Sequence, residues 1–228
     1  MFYWLDNESE SGGYITEEKK IHRRRPPRFE LMGGPVCLDF INTLDGRFSD
    51  EPKELLKTYI DLARFGEDTG ILEPSQVDHL FERSQISTEA AQQALKVAIE
   101  MREAMYQVFG AILRKKEVPR GALIRLNGYV QAAAQHAQLV PVNGRFEWRF
   151  DDRPLDFKTP LWPIARSAAE LLASDQLQFV RACASNTCQW FFLDTSKNHR
   201  RRWCDMTKCG NRAKFRSFYR RKKKRSQR

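Results

Sequence analysis

The sequence predicts a mainly α chain with small β elements (α+β): a helical N-terminal domain, then a small treble-type module of β-hairpin and helix built on four cysteines. Three observations predict it. Apolar residues recur at helical spacing over much of the chain, an Asn-Gly pair separates two alternating runs, and four of the five cysteines lie between residues 183 and 209.

Taken in order, residues 1–28 form an arm rather than a packed element. Ser9, Ser11, Gly12 and Gly13 precede a basic run from Lys19 to Arg28 that contains Pro26 and Pro27, a composition that buries too little to fold; the arm reads as a flexible lead-in or a second anion contact. From Phe29 the pattern turns globular. Val36 to Leu44 is apolar except at Asp39, Asn42 and Thr43, which share a stripe with Arg47 if the run is helical. That stripe is either a candidate ligand pocket or an internal polar network that orients helices, the commoner case.

Residues 52–66 and 74–83 read as short helices, the first with Pro52 near its start and Gly66 just past its end. A longer helix follows Ser87, a candidate N-cap. Ala91, Ala94, Leu95, Ala98, Met101, Met105, Val108, Phe109 and Ile112 form its buried face, with Arg102, Glu103 and Gln107 assigned to the other side. Another helix is expected over 119–139, with Gly128 as its weak point. Asn143-Gly144 then marks a hairpin, and Leu161, Ile164, Ala165, Ala168, Leu171 and Leu172 line a last amphipathic helix. His22, His79 and His136 have no recognisable catalytic partner.

Charge divides the chain in the same way as the elements do. Of 39 basic and 29 acidic residues, a net of +10, those from Arg181 onward carry +14, so the preceding 180 residues are mildly acidic. An ordinary body with a cationic end is the asymmetry of a nucleic-acid-binding appendage, although a solvated basic tail gives the same sum. With 41% hydrophobic residues and no apolar run of the roughly 18 residues a membrane span needs, a folded protein outside the membrane is expected. Met1-Phe-Tyr-Trp-Leu5 followed by Asp6, Glu8 and Glu10 is unlike a secretory signal, so the expected compartment is the cytoplasm and the expected thiol state reduced.

Reduced, clustered cysteines point to a metal. Cys183, Cys188, Cys204 and Cys209 read C-x4-C-x15-C-x4-C, two short loops each presenting a sulfur pair, which suits one tetrahedral, structural Zn2+ with no open coordination position. The x4 spacing departs from the common x2 knuckle and leaves iron or a transient disulfide as alternatives. Phe179-Val180 and Trp190–Leu193 would be the hairpin strands. Cys204 and Cys209 lie about 140° apart on a regular helix, so Cys204 belongs in a turn and Cys209 in the first helical turn, with Asp205 as a cap. Beyond it, Phe215, Phe218 and Tyr219 form an apolar stripe expected to pack on the hairpin. Arg212, Lys214, Arg216, Arg220 and Arg221, with Arg200, Arg201 and Arg202 from the x15 loop, are the candidate nucleic-acid contacts; His199 is read as a loop residue.

The run from Cys183 to Arg221, with Trp190, Phe192, Asp194, Ser196, Arg201-Arg202-Trp203-Cys204, Met206 and Cys209-Gly210-Asn211-Arg212, closely resembles the CGNR zinc finger. Upstream, Gly33-Gly34, Cys37-Leu-Asp-Phe-Ile-Asn-Thr-Leu44 and Arg47 resemble the opening motif of the ABATE domain, which precedes this finger in bacterial proteins proposed to be stress-induced transcription regulators. The resemblance implies an N-terminal sensing domain, a DNA-binding finger and zinc ligation by the four cysteines. The parts expected are an arm (1–28), a helical domain (29–176), a finger (177–221) and a basic tail (222–228). The functional expectation is a cytoplasmic, nucleoid-associated regulator that binds DNA, has an unidentified small-molecule effector and forms a candidate homodimer. An RNA- or ribosome-associated zinc protein, or a small-molecule sensor or enzyme in the helical domain, is the alternative. No nucleophile with a partner base or phosphate loop is visible, so an enzyme is not expected.

Overall fold

A computed structural model describes residues 29–150 and 155–226; the expected arm and the last residues of the basic tail lie outside them. The order is α1 (Val36–Ile41), β1 (Leu44–Asp45), β2 (Lys53–Glu54), α2 (Tyr59–Asp68), α3 (Pro74–Ile86), α4 (Thr88–Leu113), α5 (Arg120–Gln135), β3 (Ala137–Val142) and β4 (Arg145–Phe150). Then come α6 (Leu161–Leu172), a 3-10 turn, β5 (Val180–Ala182), β6 (Phe191–Leu193), a π-type turn (Met206–Gly210) and α7 (Asn211–Ser226). The strands form three separate antiparallel pairs, β1-β2, β3-β4 and β5-β6. The chain is thus mainly helical with small β elements.

Helix α4 is the central pillar of the body, and α1, α2, α3, α5 and α6 pack around it. Its inner face is the expected one: Ala91, Ala94, Ala98, Met101, Met105, Val108 and Phe109 are all buried. Arg102, expected outside, is only 2% exposed and belongs to that face. The spacing explains why: Arg102 lies four residues after Ala98 and three before Met105, in the middle of the apolar stripe. Its charge is met by both oxygens of Glu54 at 2.7 Å, by the Thr43 hydroxyl at 3.2 Å and by Glu103 at 3.1 Å. Removing one partner of so buried a pair costs about 3–5 kcal/mol.

The helix expected over 74–83 runs on to Ile86, and three other element boundaries differ from the sequence expectation for visible reasons. The helix expected over 52–66 begins only at Tyr59, because Lys53–Glu54 is extended against β1 and carries Glu54 to Arg102. Gly66 therefore lies inside α2, where a side chain would strike Leu72. The helix expected to reach residue 139 stops at Gln135, since Ala137 to Leu139 pair with Phe150 to Trp148. Asn143 and Gly144, with φ of 49° and 77°, make the two-residue turn that this hairpin requires. At the start of α4, Ser87 occupies the cap position but its side chain caps nothing.

Helix α1 ends at Ile41, so Arg47 does not share its surface as the helical stripe required. The four residues of that stripe are nevertheless linked through protein partners, and Asn42 reaches strand β6.

Candidate metal centre

A short hairpin and a tight turn bring the four sulfurs together. Strand β5 leads into Cys183, and Cys188 precedes β6; the pairing of Ala182 with Phe191 and the Cys183 N–H to Trp190 carbonyl bond at 2.8 Å hold the two ends of that loop. Cys204 enters from the x15 loop, and Cys209 lies in the π-type turn before α7. The Asp205 carboxylate caps this turn, accepting from the Thr207 N–H at 2.6 Å. A side chain on Gly210 would meet the Met206 thioether and come within 3.2 Å of Trp203, so a larger residue there requires the half-exposed Met206 side chain to swing away.

All four ligand atoms lie within 4.8 Å of one another and all four residues are buried. Cys188 and Cys204 sulfurs are 3.6 Å apart, and those of Cys204 and Cys209 3.7 Å. A tetrahedron with zinc–sulfur bonds of about 2.3 Å has sulfurs about 3.8 Å apart, so the spacing is that of a metal site, whereas a disulfide would need about 2.05 Å. The electrostatics agree. Hydrogen bonds from Cys188 and Cys204 hold the Cys183 thiol far below its ordinary value, while the bond each makes to Cys183 pushes Cys188 and Cys204 up. Four thiolates this close need a cation among them. The geometry and the chemistry of the donors fit one structural zinc.

Neighbouring residues serve the sulfurs directly. Arg212 donates to the Cys209 sulfur at 3.2 Å, and that sulfur in turn raises the guanidinium's pKa. Asn211 donates its amide to the Thr207 carbonyl at 2.9 Å, tying the start of α7 to the ligand turn. Trp190 lies beside Cys188, Cys204 and Cys209, and its buried indole N–H has no partner among the described residues. Asp194, whose role the sequence does not reveal, is the hub of the x15 loop: it accepts from the Ser196 N–H and hydroxyl and from the Arg201 N–H. Burial pushes this carboxyl up, but those donors hold it below its ordinary value. His199 stacks on Phe179 with ring centroids 3.8 Å apart, so the loop is closed from both sides.

The basic residues fall into distinct environments. Arg200, Arg202, Lys214, Arg216, Arg220 and Arg221 are exposed, and Arg212 is exposed while bonded to its sulfur. Arg201 differs: its guanidinium donates to the carbonyls of Trp203 and Cys204 and lies over Phe192, 4.6 Å from the ring centroid. It serves the loop and is not a free surface cation. The expected packing of Phe215, Phe218 and Tyr219 is overturned, for they are 63%, 56% and 52% exposed. Helix α7 instead turns half-buried Ala213 and Ser217 inward, which places the aromatic stripe on a different side. Between α7 and the 184–186 loop runs a groove of about 260 Å3, to which Arg212, Arg216 and Arg220 all contribute.

The stripe singled out upstream ties the body to this module. Asn42 donates its amide to the Phe191 carbonyl and accepts from the Phe191 N–H, both at 2.9 Å. Gly33 offers its carbonyl to the Leu193 N–H, also at 2.9 Å, and donates its own N–H to Asp39 at 2.6 Å. A side chain on Gly33 would come within 2.7 Å of the Asp39 backbone nitrogen, so this approach needs glycine. Burial pushes the Asp39 carboxyl up to about 6 despite N–H donors from Gly33, Met32 and Gly34. Thr43 donates to the Phe40 carbonyl and accepts from Arg102. Arg47 forms a forked pair with Glu103 and lies over Tyr106, which stacks on Phe191. Burial raises Glu103, but Arg47 and Arg102 together bring it below its ordinary value. Asp39, Asn42, Thr43 and Arg47 are therefore engaged internally, and three of the four links lead to β6.

Comparison with known families agrees with this division. Residues 34–175 match the family model ABATE, whose description reads "Putative stress-induced transcription regulator", and residues 180–222 match the CGNR zinc finger. No curated protein matches the chain. Among the described residues, no helix is long and apolar enough to cross a membrane.

Proposed function

The chain belongs to the ABATE family and ends in a CGNR zinc finger, and from that premise we propose that it is a cytoplasmic, nucleoid-associated transcription regulator that grips DNA through α7. The observation that carries this reading is a row of exposed guanidiniums on a helix whose root is a metal ligand. Zinc fixes where the charges stand, and phosphate neutralisation is their natural use. Arg200 and Arg202 add charge from the loop, whereas Lys214 and Arg221 stand on the far side of α7 and make no contact in this reading.

In this reading the helical body senses a signal and has no catalytic step of its own. Its means of influence is the β6 contact: whatever shifts α1 also shifts Asn42 and the strand it holds. The Asp39, Asn42, Thr43 and Arg47 cluster transmits the signal, and the effector binds elsewhere on the body.

The test is a titration of the zinc-loaded chain into labelled duplex DNA over a salt series, with structured RNA as competitor. A complex that weakens steeply with salt and survives the RNA supports the reading. Preferential loss to RNA assigns the finger to RNA, and a complex absent at every salt concentration removes nucleic acid as its partner.

A further inference from the structure

The groove beside α7 allows a narrower statement that rests on the DNA-binding reading above. One wall is the loop carrying Ser185 and Asn186, together with Trp203; the other is the helix face bearing Arg212, Arg216 and Arg220. No carboxylate lines it. Among the described residues neither Arg216 nor Arg220 has an acidic partner, whereas the body's buried Arg102 has two. Uncompensated cations facing a groove call for an anion.

Their spacing says what kind of anion. Residues four apart on a helix rise about 6 Å and drift by about 40°, so the three guanidiniums form a gently curved row along the groove. Successive phosphates of one DNA strand rise about 3.4 Å along the axis and lie about twice that far apart along the strand. The row therefore matches a run of neighbouring phosphates, and a single compact anion could engage only part of it. We infer that this groove seats the sugar–phosphate backbone of one DNA strand, with Arg212, Arg216 and Arg220 facing successive phosphates and the 184–186 loop as the opposite rail.

Lys214 and Arg221 lie about 200° and 180° around the helix from Arg212, out of the groove, and carry the same total charge as Arg216 and Arg220. Both walls depend on the metal. The 184–186 loop lies between the ligands Cys183 and Cys188, and α7 starts two residues after Cys209, so zinc sets the width of the groove.

The experiment compares two doubly substituted full-length chains, each with its zinc content verified, by fluorescence anisotropy on duplex DNA across a salt series. Arg216→Gln with Arg220→Gln is expected to flatten the slope of log affinity against log salt by about 2 and to weaken binding about 60-fold at 0.1 M salt. Lys214→Gln with Arg221→Gln is expected to change the slope by less than about 0.5. Equal losses from the two doubles would overturn the groove while leaving DNA binding in place. A wild-type chain that binds no duplex overturns both readings.

Discussion

The body and the finger are held together by different means. The body buries a continuous core running from Phe29 to Phe191, with large side chains from every helix through α6. The finger's own apolar cluster has six buried members, and four of them are Cys183, Cys188, Cys204 and Cys209; only Trp190 and Phe192 complete the set. A core whose members are mostly ligands has no cohesion without what they ligate. Burial of apolar area stabilises the first region and coordination the second, so the two should respond to different insults.

The largest expected effect follows from metal removal. Structural zinc contributes about 10–16 kcal/mol to comparable small modules, so chelation or Cys204→Ser should unfold residues 195–226 while the body keeps its structure. Hydrogen exchange resolved by segment checks this. Protection lost in α7 and retained in α4 is the expected pattern, and a single transition that melts both regions would break the comparison.

A smaller effect comes from pH and belongs to the body alone. Burial raises the Asp39 carboxyl to about 6 in the folded chain, against an ordinary 3.8 when unfolded, so the folded state binds the extra proton between those values. Stability therefore falls as pH rises from about 4 to 6, by about 3 kcal/mol from this group. Asp39→Asn should remove that part of the slope in denaturant melts followed at the body's helices. An unchanged slope would mean that the Asp39 environment is more solvated than its burial indicates.

The smallest effect sharpens the boundary itself. Asn42→Ala leaves a buried N–H and carbonyl of Phe191 without partners, a loss of about 2 kcal/mol. Zinc affinity should change little, but protection of β6 should drop together with that of α1. If zinc affinity fell as far as in a ligand substitution, the finger would depend on the body for its folding and not merely for its docking.

These differences also govern what the sequence reveals. The four ligands, the Asn143-Gly144 turn and the apolar face of α4 are legible because each is a local pattern of residue type and spacing. Periodicity finds a stripe but does not say which way it faces: Phe215, Phe218 and Tyr219 are correctly spaced and face outward, because the smaller Ala213 and Ser217 allow closer approach. Arg102 shows the converse, for its spacing placed it inside and its residue type argued against that. The Asn42–Phe191 contact spans 149 residues and leaves no local trace. Neither does Asp194, whose three donors come from a loop that folds back upon it.

Strand β6 is only three residues long, yet Phe191 and Leu193 pack on the body and Phe192 on the sulfur side. A strand alternates its faces residue by residue, so these two attachments are a matter of parity. Deleting one residue just before Phe191 would exchange the faces, turning Phe192 toward Tyr106 and Phe191 toward the sulfur side. The finger is thus keyed to its neighbour like a splined shaft, and any duplex it holds leaves the molecule at a fixed angle.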